Sequence, residues 1–215
     1  MAGRIWYCLL ALMLVSTGGA VNFSQLEQQM VSRYGTQRVK LFRNWQGMLY
    51  QAQNLSKQEK VRRVNGFFNE QIFYQEDKNV WTKSDYWATP IEFMGKGRGD
   101  CEDYSIAKYY SLQILGIPVR QLRMVYVKIA LNTPQGKKLL AHMVLAYYPT
   151  PNATPLILDN FNKGLLPASQ RSDLYPIYNF NSEGVWRGTG RSAVKGKMSR
   201  WQNLLARARQ EGFVF

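Results

Sequence analysis

The sequence predicts a single domain of the α+β class, mainly because helical and strand patterns follow one another along the chain. Up to about residue 116, apolar residues recur at the three- and four-residue spacing of helices, whereas after it they alternate as in strands. Helices followed by strands are typical of α+β domains. The length of 215 residues suits one domain with a substantial core, and a hydrophobic fraction of 46% is ordinary for a globular protein.

The first 20 residues have the pattern of a signal peptide, which leaves residues 21–215 as the domain. Arg4 precedes an apolar run from Ile5 to Val15, and Gly18-x-Ala20 fits a cleavage site. The run is short for an uncleaved membrane anchor, so we expect export and removal. The first cysteine would leave with this run. A single remaining thiol in an oxidising compartment indicates a catalytic role.

The N-terminal part of the domain is predicted to be helical. Asn22 or Ser24 can cap a first helix that runs to Val31, Gly35 interrupts the pattern, and Ser56 can cap a later helix. Within the domain we expect a helical part, a catalytic core and a basic C-terminal segment, at residues 21–71, 72–186 and 187–215.

The start of the core, residues 72–96, is predicted to be irregular. Its aromatic side chains would pin a loop, and they could also form a wall of a substrate cleft beside Cys101. These residues are Trp81, Tyr86, Trp87, Pro90 and Phe93.

A cysteine among acidic residues marks the start of the next helix. Asp100 can serve as its N-cap, Asp103 can close a capping box, and Gly116 stands where the helix would end. Cys101 then lies in the first turn, where the helix dipole and free N–H groups would lower the thiol pKa. A buried structural cysteine is the alternative, but acidic and glycine neighbours favour a reactive thiol.

Three antiparallel strands are predicted after this helix, because the period becomes twofold between turns. A fourth strand and a basic amphipathic helix with a solvated polar face would complete the domain. The strands are predicted at Leu122 to Ala130, Lys137 to Tyr148, Leu156 to Asp159 and Tyr175 to Asn181, and the helix at residues 197–210.

The single histidine of the chain, His142, opens the second of these strands. A thiol nucleophile needs a base, and the base needs an acceptor that orients it. If the turn before the third strand centres between Thr150 and Pro151, His142 faces Asp159 across the sheet. Together with Cys101 they form a candidate nucleophile, base and orienting acid. A strand-edge histidine bonded to backbone is the alternative.

The acidic residues Asp100, Glu102 and Asp103 flank the thiol and would oppose its ionisation. A bound cation would offset this effect, and hard oxygen ligands in a flexible loop suit Ca²⁺ better than Zn²⁺. A solvated acidic turn that caps the helix is the alternative.

Three segments carry a resemblance to the bacterial transglutaminase-like cysteine proteinases, and in particular to periplasmic members that release a biofilm adhesin. They are Gly99-Asp100-Cys101-Glu102-Asp103-Tyr104, Ala141-His142-Met143-Val144-Leu145 and Leu158-Asp159-Asn160. The resemblance extends from about Trp81 to Trp186 and includes Asp85-Tyr86-Trp87-Ala88-Thr89-Pro90.

This resemblance implies a papain-like, transglutaminase-type fold with Cys101, His142 and Asp159 as the triad. It implies calcium dependence, with Asp100, Glu102 and Asp103 as ligands. It further implies cleavage near the N-terminus of a large surface adhesin in the periplasm, which promotes biofilm dispersal. An inner-membrane receptor that responds to cyclic di-GMP would sequester the protease.

Two other functions fit the same residues: acyl transfer to an amine, as transglutaminases perform, and an inactive module that binds peptides. The formal net charge of +14 favours acidic partners or anionic surfaces. We do not expect nucleic acid as the partner, because the sequence has no zinc finger, basic zipper or RNP-like motif.

Overall fold

Three helices form the N-terminal part of the protein in the computed structural model, which describes residues 21–188, 190, 193–194 and 198–213. The predicted signal peptide lies outside the described residues. Among those described, no helix has the length and apolar composition needed to cross a membrane. The three helices are α1 (Phe23–Tyr34), α2 (Thr36–Ala52) and α3 (Lys57–Gln71).

Local capping signals locate these helices well. The Asn22 side chain accepts a hydrogen bond from the Gln25 N–H, and the Ser56 side chain accepts one from the Glu59 N–H. α1 continues three residues beyond the predicted end, to Tyr34. Gly35 then breaks it with φ +79°, in the left-handed region that glycine adopts without strain.

Residues 72–96 are more regular than predicted. They contain β1 (Phe73–Tyr74), α4 (Asp77–Trp81) and α5 (Pro90–Lys96), and β1 pairs in parallel with β2 (Arg98–Gly99). α5 begins with a capping box between Thr89 and Glu92 and has proline in its first turn. The local signal Thr-Pro-x-Glu would have been sufficient to predict this helix from the sequence.

The central helix α6 (Cys101–Ile114) is buried on nearly all sides. It packs against α3 on one side and against a large antiparallel sheet on the other. A helix enclosed in this way cannot be recognised as amphipathic, since it has no solvated face. It holds Cys101 rigidly at the interface between the helical part and the sheet.

Among the described residues the sheet has seven strands, and all their pairs are antiparallel. The α+β class and the antiparallel sheet are therefore confirmed. The strands are β3 (Leu122–Thr133), β4 (Gly136–Tyr147), β5 (Leu156–Leu158), β6 (Leu166–Pro167), β7 (Leu174–Phe180), β8 (Val185–Arg187) and β9 (Ala193–Val194), in the order β6-β5-β4-β3-β7-β8-β9.

The register between β4 and β5 differs from the predicted one by two residues. Leu145 faces Leu158, so that, by extension, Asp159 lies opposite Val144 rather than His142. The loop between the strands, residues 148–155, contains three prolines and is longer than a tight turn. A shift of two keeps each side chain on its predicted face, whereas a shift of one would have reversed it.

The C-terminal helix α7 (Ser199–Glu211) covers one end of the core. Trp201 is buried and packs edge-on against Trp87, Tyr109 and Phe180. The prediction that the basic residues of this helix only face solvent was wrong for Arg207. Its guanidinium pairs with Glu92 and donates hydrogen bonds to the Tyr86 hydroxyl and the Trp87 carbonyl.

Candidate active site

Cys101 is the first residue of α6, and its sulfur is enclosed by protein, with 8% of the residue exposed. The thiol donates a hydrogen bond to Oε2 of Glu102 at 2.9 Å. Asp100 occupies the predicted N-cap position, but its side chain makes no capping bond there.

The predicted lowering of the thiol pKa is wrong for the protein without a bound cation. Burial of Cys101, followed by the negative charges of Glu102 and Asp100, raises its pKa well above the usual value. The Met143 backbone lowers the pKa of the thiol, but by less than burial and the two carboxylates raise it. One turn after Cys101 in α6, the Ser105 hydroxyl donates to the Met143 carbonyl at 3.2 Å, so this end of the helix packs against the strand that carries His142.

His142 and Asp159 form a buried hydrogen-bonded pair, with 2.8 Å between Nε2 and Oδ1. The diagonal reach between neighbouring strands allows this contact despite the shifted register. The Phe161 ring stacks on the imidazole, with centroids 4.6 Å apart and planes 12° from parallel. His142 Nδ1 is buried and has no hydrogen-bond partner among the described residues, so this nitrogen is available to a reacting group.

The carboxylate of Asp159 is held in its ionised form. Burial would raise its pKa, but His142, the Phe161 N–H and Arg171 together lower the pKa to about 2. Arg171 reaches Oδ2 of Asp159 at 2.7 Å and binds Asp173 through the same nitrogen at 2.8 Å. This contact could not be predicted from the sequence, because an arginine in an irregular segment usually faces solvent.

A second group missed in the sequence lies behind Asp159. Lys108 of α6 is fully buried, and its Nζ donates to Asn69 Oδ1 at 2.8 Å and to the Asp159 carbonyl at 3.2 Å. Asn69 donates to the same carbonyl at 2.8 Å. Burial lowers the pKa of Lys108 to about 7, although the charge of Asp159 raises it. Lys108 follows Cys101 by two helical turns, which was the available signal.

The acidic residues near the thiol separate into two groups. Carboxylate oxygens of Asp77, Asp100 and Asp103 lie within 4.8 Å of one another, and so do the ligand atoms of Asp100, Cys101 and Glu102. Two of the three predicted ligands, Asp100 and Asp103, therefore converge with Asp77, which the sequence analysis missed. Glu102 instead contacts the thiol.

The cluster of Asp77, Asp100 and Asp103 has the chemistry of a site for a hard cation. One oxygen of each carboxylate is buried without a hydrogen-bond partner among the described residues: Asp77 Oδ1, Asp100 Oδ1 and Asp103 Oδ2. Burial and neighbouring negative charges raise the pKa of Asp77 to about 6 and that of Asp100 to about 10. Unpartnered carboxylate oxygens are ligands that Ca²⁺ prefers, so these residues fit the ion.

Backbone N–H groups of one segment hold this cluster in shape. Ala88 donates to Oδ1 of Asp103 at 2.8 Å, and Tyr86 donates to Oδ2 of Asp77. Trp87 and Phe93 are buried in the core, as the loop-pinning interpretation predicted. The exposed aromatic pair beside the site is Tyr74 and Phe161, whose ring centroids are 5.3 Å apart.

A family model described as bacterial transglutaminase-like cysteine proteinase (BTLCP) matches residues 44–187. This range contains every candidate residue named above. Among curated protein sequences, none matches the chain significantly.

Solved structures of LapG from Legionella pneumophila resemble the chain over most of its length. The EGTA-treated form has a TM-score of 0.74 at 35% identity and covers 88% of this chain and 99% of its own. The calcium-bound form has a TM-score of 0.73 at 35% identity and covers 87% and 99%. These are two states of a protein with the same fold.

Proposed function

Because the chain belongs to the bacterial transglutaminase-like cysteine proteinases, we propose that it is a calcium-dependent endopeptidase with Cys101, His142 and Asp159 as its triad. The observation that carries this proposal is the buried pair of His142 and Asp159, with His142 on the strand against which the helix start bearing Cys101 packs. Such an arrangement supplies a nucleophile, a base and a group that orients the base.

Each residue has a defined role in this proposal. Cys101 attacks the carbonyl carbon of the scissile bond while His142 accepts the thiol proton at Nδ1 and later gives it to the leaving amine. Asp159 fixes the tautomer and stabilises the imidazolium, and Arg171 keeps Asp159 ionised. The backbone N–H of Cys101, at the start of α6, would donate to the oxyanion.

Asp77, Asp100 and Asp103 would hold the calcium ion. When bound, the ion supplies positive charge that offsets the acidic groups around the thiol. The fit of the three unpartnered carboxylate oxygens and the calcium-bound form of LapG from Legionella pneumophila support this assignment. Glu102 accepts the thiol hydrogen bond, and its carboxylate lies within 4.8 Å of that of Asp100, so it would be adjacent to the calcium site.

The substrate and the cellular setting are proposed from the sequence resemblance. The protein would be exported to the periplasm, cut a large surface adhesin near its N-terminus and so promote biofilm dispersal. An inner-membrane receptor for cyclic di-GMP would restrain it.

The direct test is to incubate the mature protein with the N-terminal region of a candidate adhesin, with calcium and with EGTA, and to identify products by mass spectrometry. We expect two fragments in calcium only. Incorporation of a labelled amine without cleavage would identify an acyl transferase instead. Absence of both reactions, together with no labelling of Cys101 by iodoacetamide, would indicate a peptide-binding module.

Lys108→Met is expected to flatten the dependence of stability on pH. The native lysine loses its proton near pH 7, whereas the unfolded one loses it near 10.5. Between these values the unfolded chain binds more protons, so this group makes the free energy of unfolding rise with pH. The contribution of Lys108 to the slope of unfolding free energy against pH is at most about 1.4 kcal/mol per pH unit. Urea unfolding at several pH values measures it.

The matched control is Lys128→Met, which removes an exposed lysine from β3. This control should keep the pH slope of the wild-type protein. Equal slopes for Lys108→Met and the wild type would show that Lys108 keeps its proton in the folded protein, contrary to the prediction.

A further inference from the structure

A basic cavity lies next to Gly97 and Arg98, in the segment that leads to Cys101. It has a volume of about 310 Å³ and is bounded by α2, the end of α3, β1 and the residues before Cys101. Arg38, Lys40 and Arg98 line it, together with the apolar side chains of Leu41 and Phe73. None of the described residues that line it carries a carboxylate.

The three cations of this cavity lack the carboxylate partners that several other arginines have. Arg33, Arg171 and Arg207 pair with carboxylates. Within the part of the chain that the structure describes, Arg38, Lys40 and Arg98 form no ion pair. Arg98 only donates to the amide oxygen of Gln75 at 2.9 Å. No carboxylate of the described chain pairs with these three cations, so their mutual repulsion is not offset. An anionic group that entered the cavity would be attracted by all three.

The strand pair β1–β2 connects the cavity with the candidate active site along the chain. Phe73, which is 77% exposed, faces Arg98 in the strand pair. The next residue, Tyr74, packs on Phe161, whose ring stacks on His142. Arg98 precedes Cys101 by three residues, so their Cα atoms are at most about 11 Å apart.

We propose that this cavity is an exosite that binds an acidic segment of the protein substrate while the scissile bond lies at Cys101. The proposal rests on the proposed protease function and adds the chemistry of the substrate. Aspartate or glutamate side chains would pair with Arg38, Lys40 and Arg98, and a neighbouring apolar side chain would pack on Phe73 and Leu41.

The geometry limits where the acidic segment lies in the substrate. An extended peptide advances about 3.3 Å per residue, so a span of about 11 Å places the acidic residues roughly three positions from the cleaved bond. The net charge of +14 would add long-range attraction of an acidic substrate and accelerate its association.

Binding is measured with the Cys101→Ala protein, so that the test does not depend on cleavage. The probes are fluorescein-labelled peptides that share an Ala-Ala core and carry four acidic residues on its N-terminal or C-terminal side. Asn/Gln versions are the neutral controls, and fluorescence anisotropy is the readout. We expect one acidic peptide to bind about tenfold more tightly than its neutral version at low salt, with less difference at high salt.

Charge reversal tests whether the cavity causes this preference. Lys40→Glu with Arg98→Glu should abolish it. Lys137→Glu with Lys138→Glu makes the same change in net charge on the β3–β4 hairpin, outside the cavity. This control pair should keep most of the preference.

Three results would overturn the exosite: equal affinity for acidic and neutral peptides, equal losses in the two charge-reversal pairs, or no loss in either. Loss of binding to phosphatidylglycerol vesicles in the Lys40/Arg98 pair, with its peptide preference intact, would identify a membrane surface instead. Failure of the wild-type protein to cleave any adhesin fragment would count against the protease function and not against these binding results.

Discussion

Cys101→Ala is expected to abolish peptide bond cleavage, with a fall in kcat of about ten-thousandfold or more. Removing a nucleophile from a cooperating set of catalytic residues leaves only the rate enhancement that binding and oxyanion stabilisation provide. The measurement is single-turnover cleavage of the adhesin fragment by enzyme in excess, in saturating calcium. Iodoacetamide should label the mature wild-type protein at one site and the variant at none.

The fold of Cys101→Ala should be unaffected, because the change removes one buried sulfur and leaves the carbon framework of α6 in place. Circular dichroism and thermal unfolding in calcium provide the control, and a shift in unfolding free energy below about 1.5 kcal/mol is expected. Full cleavage by a folded variant would exclude Cys101 as the nucleophile. If Cys101→Ala does not fold, its inactivity says nothing about the nucleophile. The same cleavage assay is then made with Cys101→Ser.

Removal of calcium is expected to cause the largest change in stability. Three carboxylates that share a buried cluster repel one another, and an ion bound there removes the repulsion and satisfies their free oxygens. At a free calcium concentration of 100 times Kd, binding adds about 2.7 kcal/mol to the free energy of unfolding. For a chain of this length, EGTA should lower Tm by about 5–10 °C.

The double variant Asp77→Asn with Asp103→Asn identifies the ligands. It should lose the Tm difference between calcium and EGTA, and isothermal titration should detect little calcium binding. Glu76→Gln is the matched control, since it removes an exposed acid next to Asp77 but outside the cluster, and it should respond as the wild type does. Full calcium stabilisation of the double variant would place the ion elsewhere.

The sequence was most informative about catalytic candidates whose residue type is rare in the chain and is itself suited to catalysis. Cys101, His142 and Asp159 could be selected because the chain has one cysteine outside its N-terminal apolar run, a single histidine, and few acids that directly follow a strand. Their supporting groups could not be selected in the same way. Arg171, Lys108 and Asn69 belong to types that usually face solvent, and only the tertiary fold brings them behind Asp159.

The environment of the thiol was harder to predict than its position. A helix start lowers a thiol pKa in isolation, but this effect depends on exposure and on neighbouring charge. Burial of Cys101 and the carboxylates of Glu102 and Asp100 dominate in the folded protein. Burial is a property of the packing of α6 between α3 and the sheet, and no local pattern in the sequence reports it.

Local signals predicted secondary structure well wherever they were used. Asn22 and Ser56 start helices as predicted, and Thr89, Pro90 and Glu92 would have done the same for α5. The register between β4 and β5 was harder to predict, because the length of a loop with three prolines does not determine which residues pair. The contact between His142 and Asp159 survives since the shift is even.

The last helix has a consequence for the order in which the protein is built. The Arg207 guanidinium donates a hydrogen bond to the Trp87 carbonyl. The backbone N–H groups on either side of Trp87, those of Tyr86 and Ala88, donate to Asp77 and Asp103. A chain still being synthesised lacks this contact until α7 has been made, long after Cys101. A nascent polypeptide without α7 would therefore lack one of the contacts that hold the acidic cluster in shape.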